Sequence, residues 1–131
     1  VATYRLAIAR EDADAASWLK LGNALALLEE YEPAATAFRE AISRSPELAG
    51  AHNGLGASLM HTGMREDAIA SLERAFELDG TDPNPLMNLG LLFESEGDVT
   101  AARGAWERVL VAWPGSPVAT RRLARLASRR S

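Results

Sequence analysis

Apolar residues along this chain recur at helical spacing, in pairs of segments separated by short polar or glycine-containing turns. In the first segment Trp18, Leu21, Leu25 and Leu28 are spaced by three, four and three residues, which puts them on one face of an α-helix. A second segment opens at Glu32-Pro33, because proline suits the first helical turn, where its missing N–H has no intrahelical partner to lose. Ala34, Ala37, Phe38, Ala41 and Ile42 form its apolar stripe. Ser45-Pro46 ends it, since a residue before proline avoids the α region. Further along, Gly63 and Gly97 close first segments as glycines that accept the left-handed conformation, and Asp98 follows as an N-cap. Asp82-Pro83 and Ser116-Pro117 each read as an N-cap followed by proline at the first helical position. No run alternates with a period of two for long enough to make a strand, so the expected fold class is all-α.

The helix pairs themselves repeat. Gly22, Gly56 and Gly90 stand 34 residues apart, each preceded by a leucine (Leu21, Leu55, Leu89) and followed twelve residues later by an alanine (Ala34, Ala68, Ala102). A bulky apolar residue comes four further on (Phe38, Leu72, Trp106), then a smaller one three beyond it (Ala41, Ala75, Val109). The blocks 15–48, 49–82 and 83–116 abut without a gap. Gly22 and Ala34 are small where two helices must approach closely, and Trp18, Leu21 and Phe38 fill the space on either side. A 34-residue period carrying W-x-x-L-G, A-x-x-x-F-x-x-A and then proline resembles the tetratricopeptide repeat. The first block carries the pattern most fully, with Trp18, Leu21, Gly22, Ala34, Phe38, Ala41 and Pro46. The second departs from it: Gly80 stands where the others have Pro46 and Pro114, and His52 replaces the tryptophan. The resemblance covers almost the whole chain and implies a right-handed α-solenoid of three helix-turn-helix repeats, a single domain over residues 1–131.

The ends fit the same frame. Residues 117–131 begin a fourth block and stop after one helix, whose apolar stripe is Ala119, Leu123, Leu126 and Ala127. Arg121, Arg122, Arg125, Arg129 and Arg130 make the rest of that helix charged, as the outer face of a closing unit must be. Residues 1–14 read as the second helix of a preceding block, because Tyr4 lies 34 before Phe38 and Ala7 lies 34 before Ala41. The expectation is a piece cut from a longer array; a natural half-repeat serving as an N-terminal cap is the alternative. Tyr4, Leu6 and Ile8 would leave apolar surface uncovered, which makes a homo-oligomer through this helix a further expectation.

A net charge of -4 and an isoelectric point near 5.2 argue against general nucleic-acid binding. The charge is uneven: residues 1–116 hold nine basic and eighteen acidic side chains, while 117–131 hold five arginines and no acid. The absence of cysteine removes disulfides, thiolate metal sites and cysteine nucleophiles, and leaves the compartment open. No apolar run is long enough to span a bilayer, so direct membrane insertion is not expected. Thirteen arginines against one lysine, with abundant alanine, point to a GC-rich bacterial genome. Catalysis finds little support. His52 and His61, nine residues apart on one helix, face different directions, so a shared metal is not expected, and His52 in the tryptophan slot reads as a packed, hydrogen-bonded core residue. Gly54-Leu55-Gly56 looks like half a dinucleotide fingerprint but lies within a helix with no strand before it. Glu29, Glu30 and Glu32 read as solvated surface. Neither an enzyme nor a cofactor is expected.

The resemblance also implies a groove. In tetratricopeptide proteins the first helix of each repeat lines a concave surface, and by register this face carries Ala16, Leu19, Asn23 and Ala26 in the first repeat. The second repeat supplies Gly50, Asn53, Ala57 and Met60, with His61 at the edge; the third supplies Asn84, Met87, Leu91 and Glu94, with Asn88 beside them. The closing helix adds Val118, Arg121, Arg125 and Ser128. Leu19, Met60, Met87 and Leu91 would be exposed apolar residues, which a solvated face does not need. Asn23, Asn53 and Asn88 sit in helix interiors, where asparagine is a poor choice, yet its donor and acceptors suit an extended peptide backbone. Some three-repeat domains of this family grip a chaperone's C-terminal carboxylate with two lysines, an arginine and two asparagines. Here Asn23 matches one asparagine, but Leu19, Gly54, Asn84 and Asn88 stand at the other four slots, so that clamp is not expected. The implied function is a protein-binding scaffold or adaptor that holds a peptide segment, acidic where it meets Arg121 and Arg125. A self-association module and the recruiting arm of a larger enzyme are the alternatives.

Overall fold

The computed structural model describes residues 14–128, so the half-repeat expected over the first residues, with Tyr4, Leu6 and Ile8, lies outside the described residues, as do Arg129 and Arg130. Among the described residues there are seven helices and no strand. They are α1 (Ala15–Leu27), α2 (Tyr31–Arg44), α3 (Ala49–His61), α4 (Arg65–Leu78), α5 (Asn84–Ser95), α6 (Val99–Ala112) and α7 (Pro117–Ser128). The chain forms two compact units, one ending at Leu78 and the other starting at Asp79.

The first unit contains α1 to α4. Asp14 caps α1: its carboxylate accepts from the Ser17 amide at 2.9 Å, and that bond holds the carboxyl below the usual aspartate range. Leu21 and Leu25 are buried and Trp18 is half-buried, but Leu28 leaves the expected stripe, past the end of α1 and 56% exposed. The cause is backbone geometry. Glu29 takes φ 61°, and the Glu30 amide donates back to the Leu25 carbonyl at 2.9 Å, a left-handed closure of the helix end. Thirty-four residues later Gly63 takes φ 81° and Met64 donates to Leu59 at 2.9 Å. Glu29 therefore occupies the slot of a C′ glycine. Helix α2 starts at Tyr31, so Pro33 falls inside its first turn, and it ends before Ser45-Pro46 as the sequence predicts.

Phe38, 1% exposed, is the centre of this unit. A Cβ on Gly22 of α1 would lie 2.6 Å from Phe38 Cε1, and one on Gly54 of α3 would lie 2.4 Å from its Cζ. The ring is thus wedged between two helices that come this close only because both positions are glycine. Gly56 repeats the device against Leu72, 2.6 Å from Cγ. Ala34, Ala41, Ala51 and Ala68 are fully buried at the helix crossings. Trp18 is less central than the pattern implies: it is half-buried, with the Arg44 guanidinium 5.3 Å from its ring centre. His52 is half-buried, and its Nε2 donates to the Pro46 carbonyl at 2.9 Å, since that oxygen can only accept.

The second unit contains α5, α6 and α7. Helix α5 starts one residue later than the sequence predicts: Pro83 is the capping residue, and the Asp82 carboxylate accepts from the Asn84 amide at 3.0 Å. Asp98 caps α6 by accepting from Ala101 at 3.1 Å, and Ser116 caps α7 by accepting from Ala119 at 3.2 Å with Pro117 at its first position. Gly97, φ 76°, ends the turn after α5, with Asp98 donating to Phe93 at 3.0 Å. Trp106 is 1% exposed, and a Cβ on Gly90 would lie 2.5 Å from its Cε2. On α7, Ala119 and Leu126 are buried, Leu123 is half-buried and Ala127 is exposed, so the apolar stripe is narrower than its spacing implies.

Candidate interaction faces

In the first unit, Leu19 and Asn23 project from α1, and Asn53 and Met60 from α3, two helices in direct contact. Asn23 is exposed, whereas Leu19, Asn53 and Met60 are half-buried. Leu19 lies where a Cβ on Gly50 would make ordinary contact, 3.9 Å from its methyl carbons, so part of its surface serves the α1–α3 crossing. Asn53 already has an interaction partner within the fold, which accounts in part for an asparagine in a helix interior. The most exposed large apolar residues of this unit, Leu27 and Leu28, lie at the end of α1 and not on the expected face.

In the second unit, Asn84 and Leu91 are exposed on α5, Leu91 to 37%, while Met87 and Asn88 are half-buried and Asn88 also has a partner. Met87 opens into an apolar cavity of about 470 Å³ that Pro83, Val109, Ala112, Trp113, Pro114, Gly115 and Ser116 complete. The 34-residue period marks Pro114, the counterpart of Pro46, but not Trp113, which follows the last turn of α6. An aromatic residue beside a proline, outside any apolar stripe, was the available signal.

Glu94 is a correction. Its register places it on the groove-lining face, but its side chain is only 11% exposed and is spent inside the fold. One carboxylate oxygen accepts from Trp106 Nε1 at 2.7 Å and the other from Arg122 at 3.1 Å, with the Arg122 guanidinium 5.8 Å from the Trp106 ring centre. The carboxylate joins α5, α6 and α7. It holds Arg122 inward, while Arg121 and Arg125 on the same helix are exposed. These two arginines are exposed, and the Met87 cavity is open to solvent, in the second unit.

Among the described residues no group of three or more His, Asp or Glu side chains is placed to hold a metal ion. His61 stacks on Tyr31, ring centres 4.1 Å apart and nearly parallel, and His52 is tied to Pro46. Gly54 and Gly56 make room for Phe38 and Leu72, which disposes of the nucleotide-motif likeness. Among the described residues no helix is long and apolar enough to cross a membrane.

Comparison with known proteins agrees with this architecture. The family model of the tetratricopeptide repeat matches residues 1–49, 19–83 and 53–117. The peroxisomal targeting signal receptor of Yarrowia lipolytica is 36% identical over 77 residues, 59% of this chain and 13% of the receptor's length. Among solved structures, MamA superposes with a TM-score of 0.87 at 21% identity, covering 97% of this chain and 74% of that one. The first tetratricopeptide domain of Spaghetti bound to the HSP90 peptide SRMEEVD gives 0.79 at 16% identity, covering 91% and 94%. The tetratricopeptide domain of Arabidopsis OM64 gives 0.80 at 19% identity, covering 88% and 95%.

Proposed function

The chain belongs to the tetratricopeptide repeat family of protein-interaction modules, and from that premise we propose that it is a scaffold or adaptor that holds a polypeptide segment against the first helices of its repeats. One observation carries the proposal: in the second unit, Arg121 and Arg125 stand exposed on one helix, and an apolar cavity opens at Met87. A solvated closing face accounts for charge but not for the apolar cavity. Helix dipoles do not account for Arg121, which lies near the N-terminal, positive end of α7. A ligand with acidic side chains and an apolar anchor suits both features. The peptide bound by the Spaghetti domain is itself acidic, which supports this class of ligand. In the first unit, exposed Asn23 and half-buried Leu19 and Met60 supply backbone-directed and apolar contacts, with Asn53 beside them; in the second, Asn84, Asn88 and Leu91 do the same. On this reading the chain is not itself an enzyme, takes no cofactor and does not bind nucleic acid.

The test is an affinity capture from native extract followed by titration calorimetry of the captured segment. Arg121→Ala with Arg125→Ala should weaken binding and flatten its dependence on salt, because exposed charge attraction is screened. Met87→Ala should weaken it with little change in that dependence. Full affinity in both variants would overturn the assignment.

A further inference from the structure

A second recognition feature lies in the first unit, away from every residue assigned to the first-helix face. Arg39 and Ile42 of α2, His52 and Leu55 of α3, and Ala70, Ser71 and Arg74 of α4 enclose a cavity of about 320 Å³. Leu55 is buried and Ile42 half-buried, so the floor is apolar. Arg39 and Arg74, from different helices, both line it and are both exposed. They are 35 residues apart, one more than the repeat period, so they are not equivalent positions of their second helices, yet both line this cavity. The period does not reproduce the pair: the positions 34 residues after and before them, 73 and 40, are both glutamate. Among the described residues no carboxylate pairs with Arg39. Arg74 meets only Glu77, at 3.6 Å, with both side chains at least half exposed, a contact that solvent screens and that exchanges readily. Ser71 adds a hydroxyl donor, and the His52 ring is held in place by its bond to Pro46.

We infer that this cavity is a second polypeptide-binding site, for an acidic residue flanked by an aliphatic one. The carboxylate sits between the Arg39 and Arg74 guanidiniums, whose planar donors match its two oxygens. The neighbouring aliphatic side chain rests on Ile42, Leu55 and Ala70. An inorganic anion would use the rim and leave the apolar floor wet; an uncharged apolar chain would leave two cations desolvated at its edge. A short segment of alternating acidic and aliphatic residues satisfies both parts. The scaffold would then hold two polypeptides at once, since none of Leu19, Asn23, Asn53 and Met60 lines this cavity.

Acetyl-Leu-Glu-Leu-amide is a direct probe, titrated into the whole chain and read by amide chemical shifts. Saturating shifts confined to Arg39, Ile42, His52, Leu55, Ser71 and Arg74 are expected, and the peptide carrying Gln in place of Glu should bind roughly tenfold more weakly, the effect of losing one charge-assisted contact. Arg39→Gln with Arg74→Gln should abolish saturation without moving the melting temperature. Equal binding of the two peptides, unchanged binding by the double variant, or an equal response to sodium acetate would each overturn the inference. Arg121 and Arg125 lie outside this site, so its failure and the failure of the first-helix assignment are read by different variants.

Discussion

Gly54→Ala puts helix propensity and packing in direct opposition. Inside a helix, replacing glycine with alanine gains about 1 kcal/mol, because glycine is the costlier residue to order. At Gly54 the added methyl would sit 2.4 Å from Phe38 Cζ and 2.5 Å from Cε1, against 3.4–4 Å for ordinary contact. The ring must therefore move by about 1 Å. It has nowhere to go, since Phe38 is 1% exposed and the same Cε1 lies 2.6 Å from the place a Cβ would take on Gly22. Overpacking of this kind costs roughly 1–3 kcal/mol, so the variant should range from neutral to about 2 kcal/mol destabilised. Gly104, inside α6, supplies the control: a Cβ there meets nothing within 4 Å, and Gly104→Ala should stabilise by up to about 1 kcal/mol. The propensity gain is common to both, so the difference between the variants, about 1–3 kcal/mol, isolates the packing conflict. Urea titrations followed by circular dichroism measure it. In a Phe38→Leu background, where the ring is gone, the Gly54→Ala penalty should shrink. Equal stabilisation by Gly54→Ala and Gly104→Ala would refute the wedge.

Two other substitutions bear on distinct parts of the fold. Glu29→Gly should stabilise the chain by about 0.5–1 kcal/mol, the left-handed strain of a side chain less the extra freedom glycine has when unfolded, and a thermal melt that is unchanged or lowered would contradict that account. Glu94→Ala removes the acceptor shared by Trp106 and Arg122 and should cost roughly 1–3 kcal/mol, read as a loss of melting temperature, with Glu94→Gln recovering part of it because one oxygen acceptor remains.

The repeat was legible because three independent signals share one period: a glycine at the helix crossing, an alanine opposite and a large side chain beside it. Gly22 with Phe38, Gly56 with Leu72 and Gly90 with Trp106 are the same solution written three times. What escaped was whatever depends on contacts between repeats. Gly54 has no counterpart in the period, because it answers to Phe38 of the preceding repeat, 16 residues away; a nucleotide fragment was the nearest local likeness. Periodicity puts Leu28 in an apolar stripe because it cannot see a left-handed turn that no glycine marks, although Glu29 aligns with Gly63 and Gly97 once the period is applied to the turn as well as the helices. Of the candidate face, Asn23, Asn84, Leu91, Arg121 and Arg125 are exposed, and Leu19, Met60 and Met87 are half-buried because each also packs within its own unit. Glu94 was misassigned for a related reason: register fixes the direction of a side chain, but its donors come from two other helices.

The Glu94–Arg122 pair divides the arginines of α7 between the fold and its surface. Successive residues on a helix are rotated by about 100°, so Arg121 and Arg125 lie roughly 40° apart while Arg122 is turned about 100° from Arg121. Three arginines within five positions therefore divide into one that faces Glu94 and two that face solvent. The division does not follow from arginine content, since all three carry the same charge; it follows from where the nearly buried Glu94 carboxylate is held. Because Glu94 and Trp106 fix Arg122, they also fix the rotation at which α7 presents its other two cations. Moving the carboxylate would cost stability and redirect the outward charge together, whereas removing Arg121 or Arg125 touches only the exposed charge of the helix.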